Sequence, residues 1–295
     1  MSAFKPLPGH GRYPATPITA RAQGRWPNGR GLAVYVALNL EHYAWGEGLV
    51  EDLVPGIPAP DVLNNSWREY GNRVGAWRLH TLLQGLQLPV TLLINSALYG
   101  ACPELVAAFR AAGAEIASHG RTNSEHQAGL AEADERALIE HVTATIARHE
   151  GAPPAGWLSP WIAETARTPD LLHEAGYRYL LDWCMDDQPV WMHTRAGRIL
   201  SVPYPQELND SAAIIGRHVD AHSFSTMIID QFDEMREQAQ RDGVPLVMGL
   251  ALHAMIAGQP FRIRALRRAL AHIAQHRDEV WLTTAGQIAE HFAQG

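Results

Sequence analysis

Short, nearly continuous apolar runs alternate with stretches of helical periodicity along most of this chain. The runs from Gly31 to Leu40, Val90 to Asn95 and Pro245 to His253 are typical of strands that are buried on both faces. Apolar residues recur at helical spacing from Val74 to Leu86 and from Ala131 to Glu150. Shorter strands are predicted at Glu115 to Ser118, Tyr177 to Trp183, Arg198 to Pro203 and Val280 to Thr283, and further helices at Pro103 to Ala112, Pro169 to Ala175, His222 to Arg241 and Ile263 to Gln275.

This alternation predicts the fold class. Roughly seven strands recur with helices between them, and the sequence lacks the repeat period that is typical of a solenoid. Parallel strand–helix units in this number close most economically into a barrel. We therefore predict an α/β barrel that fills residues 31–295 as one domain. A Pro-rich lead from Met1 to Arg30 precedes it and is expected to pack on the barrel or on a partner subunit.

The segment from Tyr43 to Asn72 differs from its surroundings, because Gly, Pro and Asn occur throughout it without a clean period. This composition predicts a long loop. A loop of this length within a compact domain is usually functional, often as a lid or a subunit contact. Together with the Pro-rich lead, it predicts a homo-oligomer, either a dimer or a tetramer.

Polar residues follow several of the predicted strands directly. In a parallel barrel the strand ends meet at one mouth, where folds of this kind carry their active sites. Asn39 and Glu41 come at the end of the first strand, His119 follows the third, and His253 ends the strand near the C-terminus. We expect these residues to converge there, together with the residues that follow other strands, namely Trp157 to Trp161 and Asp182 to Asp187.

Composition and charge narrow the partners and the chemistry. A net charge of −7, from 24 basic and 31 acidic residues, provides no basic face for a nucleic acid. No apolar run approaches the roughly 20 residues that span a bilayer, and the lead lacks the apolar segment of a signal peptide. Cys102 and Cys184 are too few for a disulfide framework, so a cytoplasmic protein is expected. The only lysine, Lys5, lies in the lead, which argues against Schiff-base chemistry.

The densest group of coordinating side chains lies between His119 and His126. Catalytic zinc sites use three nitrogen, oxygen or sulfur ligands and leave one position for water. Glu41, His119 and either Glu125 or His126 are candidates for these ligands. Alternatively, the segment is a capping loop whose Ser, Asn and Glu side chains satisfy the backbone, and Glu41 is then an exposed residue at a strand end.

Other residues at the predicted mouth are candidates for acid–base chemistry or for substrate contact. His253 suits a general acid for a leaving amine, since an imidazole has an unperturbed pKa of about 6.5. A histidine at a strand end is equally compatible with a role in core packing. Arg121, Trp161 and Asp187 are candidate substrate contacts.

Short motifs occur in a fixed order along the chain. They are Asn39-Leu40-Glu41, Ser118-His119-Gly120, Trp157-Leu158-Ser159-Pro160-Trp161, Asp186-Asp187-Gln188-Pro189, and Leu252-His253 followed by Pro260-Phe261-Arg262. This order resembles the polysaccharide deacetylase superfamily, also named NodB homology or carbohydrate esterase family 4. More narrowly, it is similar to the intracellular branch that contains metal-independent allantoinases and peptidoglycan-deacetylase-like proteins. The match extends from about Arg25 to Phe292.

The resemblance implies a deformed (β/α) barrel with fewer regular strands than eight, and a hydrolase of non-peptide carbon–nitrogen bonds. It also implies a mechanism in which a metal-bound water attacks an amide carbonyl, an aspartate is the base and a histidine protonates the leaving nitrogen. His253 then matches the acid, His119 the first metal histidine and Glu41 the metal-binding acid. Asn39 stands where the catalytic aspartate is expected, and Asn123 where the second metal histidine is expected.

These two departures leave the metal and the base open. Either Glu125 or His126 replaces the missing ligand and one divalent ion, expected to be zinc, is bound, or the metal is absent. The base is then Glu41 or Glu125, with a pKa raised by burial. We expect a hydrolase of a small-molecule amide or sugar, allantoin-like or N-acetylated, whose catalytic residues are Asn39, Glu41 and His253. The alternative is a binding protein that has kept the pocket and lost the chemistry.

Overall fold

A curled, mostly parallel sheet lies at the centre of the protein, in a computed structural model that describes residues 9–294. Its strands are β1 (Leu32–Leu40), β2 (Val90–Ile94), β3 (Glu115–Ser118), β4 (Gly156–Trp157), β5 (Tyr179–Leu180), β6 (Val190–Thr194), β7 (Gly197–Ser201), β8 (Leu246–His253) and β9 (Trp281–Thr283). The strand order is β6-β7-β5-β4-β3-β2-β1-β8, and β9 pairs with β1. Only the β6–β7 hairpin is antiparallel within this sheet of residues 9–294.

The sheet is a deformed barrel that does not close completely. Over the part of the chain that the structure describes, the path of paired strands runs from β6 to β8 without a pairing between these two edges. Several strands are short, and the predicted strand from Tyr177 to Trp183 is reduced to β5. The predicted α/β class and the deformed barrel are nevertheless confirmed.

The first strand is buried on both faces, as its continuous apolar run predicts. Leu32, Val34 and Leu38 belong to the core between the sheet and the outer helices. Tyr35 and Ala37, on the opposite face, belong to the core inside the curled sheet. Because successive side chains of a strand point to opposite faces, only an uninterrupted apolar run fills both layers.

Helices cover the outer face of the sheet, and the last of them packs Ala285, Ile288 and Ala289 into the core inside the curled sheet. They are α1 (Val62–Tyr70), α2 (Ala76–Gly85), α3 (Leu98–Ala101), α4 (Pro103–Ala111), α5 (Glu132–Glu150), α6 (Thr168–Glu174), α7 (Ala221–Asp242), α8 (Ala254–Ala257), α9 (Pro260–Gln275) and α10 (Ala285–Gln294).

The predicted long loop from Tyr43 to Asn72 is wrong in its second half, where α1 continues through a π turn at Gly71–Gly75 into α2. The residues that suggested a loop have other roles. The side chain of Asp61 caps α1 by accepting the backbone N–H of Asn64 at 3.0 Å. Gly71 and Gly75 pack against α8 so closely that a Cβ atom would lie 2.7 Å and 2.1 Å from its backbone atoms.

The Pro-rich lead lies against the barrel over its described residues, 9–30. Arg12 forms an ion pair with Asp170 at 2.7 Å, and Trp26 is buried and donates a hydrogen bond to the backbone oxygen of Leu246 at 2.8 Å. The prediction for the lead also covers residues 1–8, including Lys5, and these lie outside the described residues.

Candidate active site

The carboxyl ends of β1, β3 and β8 bring four of the predicted residues to one cavity of about 150 Å³. Asn39 lies opposite His253 in the register of β1 and β8. Glu41 follows β1 and His119 follows β3. All four side chains are buried and line the cavity. These residues therefore meet at the strand ends, as the parallel arrangement predicts.

Glu41 lies between the other groups, and both of its carboxylate oxygens accept hydrogen bonds. Oε2 accepts from the hydroxyl of Tyr43 at 2.7 Å, and Oε1 accepts from Nδ2 of Asn123 at 2.6 Å. Oε1 also lies 3.5 Å from Nε2 of His119 and 3.5 Å from Nε2 of His253. Burial raises the pKa of Glu41, but the two imidazoles and Tyr43 outweigh burial and hold this pKa below its usual value. Glu41 is therefore a carboxylate at neutral pH.

His253 is held from behind by a buried carboxylate. Its Nδ1 lies 2.6 Å from Oδ1 of Asp210, and its backbone N–H donates to the same side chain at 2.9 Å. Burial lowers the pKa of His253, but Glu41 and Asp210 outweigh burial and raise this pKa to about 10. The ring is therefore an imidazolium at neutral pH, and its Nε2 faces Glu41.

His119 is oriented by the backbone of the next strand end. Its Nδ1 lies 2.9 Å from the carbonyl oxygen of Leu158. Because a carbonyl oxygen only accepts hydrogen bonds, Nδ1 carries the proton of this contact. The ring therefore presents Nε2 to Glu41.

Asn123 occupies the position at which the resemblance led us to expect a second metal histidine. Its Oδ1 accepts a hydrogen bond from Nδ2 of Asn95 at 3.0 Å, which leaves its own Nδ2 to donate to Glu41. The indole of Trp161, at the rim of the cavity, donates to the backbone oxygen of Asn123 at 2.8 Å. The loop after β3 thus supplies an amide donor to Glu41.

Four of the other predicted residues lie elsewhere. Arg121 and Glu125 bind each other through two hydrogen bonds of 2.8 and 2.5 Å, and neither lines the cavity. His126 does not line it either. Asp187 borders a separate depression beside Cys184 and Pro205.

Sequence reasoning missed several residues that line the cavity or hold its side chains in place. Asp210 precedes a π turn at Ser211–Gly216, and Tyr204 comes from the segment after β7. Glu51 comes from the segment before α1, and burial raises its pKa to about 7. Ser211 donates a hydrogen bond to Glu51. The only local signal for these residues was the polar run Asn209-Asp210-Ser211, because irregular segments carry no periodicity.

The donor set does not fit the divalent metal that the resemblance implies. Asn39 and Asn123 place neutral amides where the resemblance implies an aspartate and a histidine, whereas zinc sites use cysteine, histidine or carboxylate ligands. Glu125, the predicted substitute, is paired with Arg121 outside the cavity. Within residues 9–294, no three His, Cys, Asp or Glu side chains are grouped as a metal site requires. No chemical step is therefore derived through a metal.

Comparisons with known proteins agree with the motif order. Residues 69–180 match the family model for polysaccharide deacetylase. A Schizosaccharomyces pombe protein, provisionally named a polysaccharide deacetylase, is 27% identical over 298 residues, which cover 90% of this chain and 91% of that protein. Among the helices of residues 9–294, none is long and apolar enough to cross a membrane.

Two solved structures are similar over almost the whole chain. A provisionally named polysaccharide deacetylase from Pseudomonas aeruginosa PAO1 has a TM-score of 0.83 and 27% identity, and the match covers 96% of this chain and 98% of that chain. The Puue allantoinase has a TM-score of 0.83 and 26% identity, with the same coverage of 96% and 98%. The fold, the motif order and these similarities confirm the predicted resemblance to the polysaccharide deacetylase superfamily.

Proposed function

We propose that the protein hydrolyses a carbon–nitrogen bond of a small amide without a metal ion, with Glu41 as general base and His253 as general acid. One observation carries this proposal: Oε1 of Glu41 lies 3.5 Å from Nε2 of His253. At neutral pH Glu41 is deprotonated and His253 is protonated. Two titratable groups whose pKa values are driven apart by their surroundings are the usual signature of an acid–base pair.

The reaction follows from these protonation states. A water molecule beside Oε1 of Glu41 attacks the amide carbonyl carbon and gives its proton to this carboxylate. The carbon–nitrogen bond then breaks, and the leaving nitrogen takes the proton of His253 Nε2. Glu41 is now protonated and His253 neutral. Proton transfer across the gap between them restores the starting state, so atoms and charges balance.

The surrounding residues keep this pair in place. Asp210 fixes the orientation of the His253 ring and stabilises its positive charge, as a carboxylate behind a catalytic histidine does. Tyr43 and Asn123 hold the Glu41 carboxylate from two sides. A base whose rotamer is already fixed loses less conformational entropy when it binds the attacking water molecule.

The size of the cavity supports a small substrate. A volume of about 150 Å³ lies below the range of roughly 300–1,000 Å³ that is typical of pockets for drug-sized ligands. This favours a compact linear or cyclic amide, such as a ureide, over a segment of polysaccharide. The similarity to the Puue allantoinase supports the same choice.

A second function, small-molecule binding without turnover, is favoured by one observation. Asn39 and Asn123 replace the family's base and one of its metal ligands with amides, which are neutral and do not accept a proton at physiological pH. Binding of a small amide that stays intact over days would support this alternative over hydrolysis.

The test is a panel of allantoin, hydantoin, succinimide and N-acetylglucosamine, incubated with the protein and followed by proton NMR. We expect turnover of at least one ureide or imide, and its loss in His253→Ala. Absence of turnover on the whole panel, with His253→Ala binding these compounds as the wild type does, would overturn the proposal.

A further inference from the structure

The orientation of the Asn39 side chain is fixed by a neighbour that can only accept a hydrogen bond. Nδ2 of Asn39 lies 3.2 Å from the backbone oxygen of Leu252, which requires the amide nitrogen on that side. The same Nδ2 lies 3.1 Å from the hydroxyl oxygen of Tyr204. Asn39 therefore donates to Tyr204, and the tyrosine hydroxyl accepts.

This arrangement leaves one acceptor and one donor without partners. Oδ1 of Asn39 is buried and has no hydrogen-bond partner among residues 9–294. The hydroxyl oxygen of Tyr204 accepts the hydrogen bond from Asn39, and the hydroxyl proton has no acceptor among residues 9–294. Buried polar groups without partners are rare, because they lose their hydrogen bonds to water and gain none in return. Both residues line the cavity beside Glu41 and His253.

We propose that Asn39 and Tyr204 together bind one edge of a ring amide, with the Tyr204 hydroxyl donating to a carbonyl oxygen of the substrate and Asn39 Oδ1 accepting its N–H. This rests on the proposed function and specifies its substrate class. In a ring the amide is cis, so its N–H and C=O lie side by side on one edge. The free donor and acceptor are likewise adjacent, since they belong to two hydrogen-bonded side chains. The matching ligands are cyclic ureides, imides and lactams.

The residue at position 39 decides whether this pair is available. An aspartate would accept the Tyr204 proton, which would occupy the donor and place a negative charge where the substrate N–H and carbonyl approach. Asparagine reverses the hydrogen bond and frees the tyrosine proton for the substrate. Asn39 is then a specificity-determining residue rather than the remnant of a base.

The decisive variants are Asn39→Asp and Tyr204→Phe, with Tyr99→Phe as a matched control. Tyr99 is also buried, but its hydroxyl bonds Glu150 outside the cavity. Hydantoin is the probe, and calorimetry gives its dissociation constant. Loss of one such hydrogen bond is expected to weaken binding about tenfold in either cavity variant, whereas Tyr99→Phe binds as the wild type does.

Two further readouts separate ligand recognition from a structural role. The first is N-methylation of the probe. At least one of 1-methylhydantoin and 3-methylhydantoin should bind the wild type about tenfold more weakly than hydantoin, because the methyl group removes the N–H that Asn39 accepts. The second is turnover by Asn39→Asp on any compound that the wild type hydrolyses. We expect it to fall, whereas the remnant of a base predicts a gain.

The results that overturn this inference differ from those that overturn the hydrolase proposal. Hydantoin binding without turnover removes the hydrolase proposal alone, and the dissociation constants still decide the role of Asn39 and Tyr204. The inference fails if the wild type does not bind hydantoin, if both cavity variants bind it within twofold of the wild type, or if Asn39→Asp increases turnover. If Asn39→Asp does not fold, Tyr204→Phe and the methylated probes decide alone.

Discussion

Each of the two proposed catalytic residues depends on its charged neighbours, so its contribution can be tested by a single substitution. His253→Asn removes the proton that the leaving nitrogen takes, so kcat/KM should fall by about 10²- to 10⁴-fold, the usual contribution of a general acid. His272→Asn is a matched control, because His272 also contacts an aspartate, Asp233 at 3.0 Å, but neither residue lines the cavity. A fall of less than threefold in His253→Asn would contradict the assignment.

The pKa values of Glu41 and His253 predict the pH dependence of kcat/KM. The base must be ionised, and the pKa of Glu41 is held below its usual value, so activity should persist as the pH falls to about 5. The acid must be protonated, and its pKa is raised to about 10, so activity should disappear only as the pH rises through that value. A profile of kcat/KM from pH 5 to 11 checks both limits, and loss of activity between pH 7 and 8 would contradict them.

Ionisation of Glu51 is expected to fall within the pH range over which Glu41 and His253 keep kcat/KM constant. Burial raises its pKa to about 7, and it lines the same cavity. Any step in kcat/KM near pH 7 should therefore vanish in Glu51→Gln, which keeps an oxygen to accept the hydrogen bond from Ser211. A step that persists in this variant belongs to another group.

The residues that sequence reasoning located share one property. Asn39, Glu41 and His253 come at the ends of the long apolar strands β1 and β8, and His119 follows the short strand β3. Parallel pairing determines where these strand ends meet. Asp210, by contrast, comes from an irregular segment whose position depends on contacts that are distant in sequence. Glu125, a candidate metal ligand from the sequence, instead forms an ion pair with Arg121, four residues earlier.

At the scale of elements, the continuous helical region from α1 to α2 presses against α8, which directly follows His253. A Cβ atom at Gly75 would lie 2.1 Å from the backbone oxygen of Ala254. Gly75→Ala should therefore lower the free energy of unfolding by about 1–3 kcal/mol, the usual cost of overpacking, and should reduce kcat by displacing His253.

Gly85→Ala is the control for this prediction, because within residues 9–294 no atom beyond the adjoining helix backbone and chain neighbours lies within 4 Å of a Cβ atom at Gly85. This variant should be as stable as the wild type or slightly more stable, since alanine favours a helix. Chemical denaturation measures both variants, and equal stability of Gly75→Ala and the wild type would contradict the close packing of α2 on α8.

The strands and helices were easier to predict than the segment between β1 and α1. Periodicity identified β1, β2 and β8 and the long helices α5, α7 and α9. It failed at α1, which contains Asn64 and Asn65 and is followed in the π turn by Gly71 and Gly75, the glycines that allow close packing on α8. Composition alone does not distinguish a glycine that allows a turn from one that allows two backbones to touch.

At the scale of the whole molecule, the predicted homo-oligomer has a candidate surface. The segment from Trp45 to Leu63 exposes several large apolar side chains, namely Trp45, Leu49, Leu53, Val54, Val62 and Leu63. Clusters of exposed apolar residues are typical of interaction sites. We expect light scattering at micromolar concentration to give the mass of a dimer or tetramer. The double variant Trp45→Glu and Leu53→Glu should shift the measured mass toward that of a single chain. The mass of a single chain for the wild type would exclude self-association.

We propose that this protein hydrolyses amides through Glu41 and His253 rather than through a bound metal. The most direct measurement is turnover of the substrate identified in the panel, after dialysis against a chelator and with the metal content determined by mass spectrometry. We predict that the stripped protein keeps its rate to within about twofold and that Glu41→Gln abolishes it, because a general base contributes about 10²- to 10⁴-fold. A rate that is lost on stripping and returns with added zinc would contradict the account.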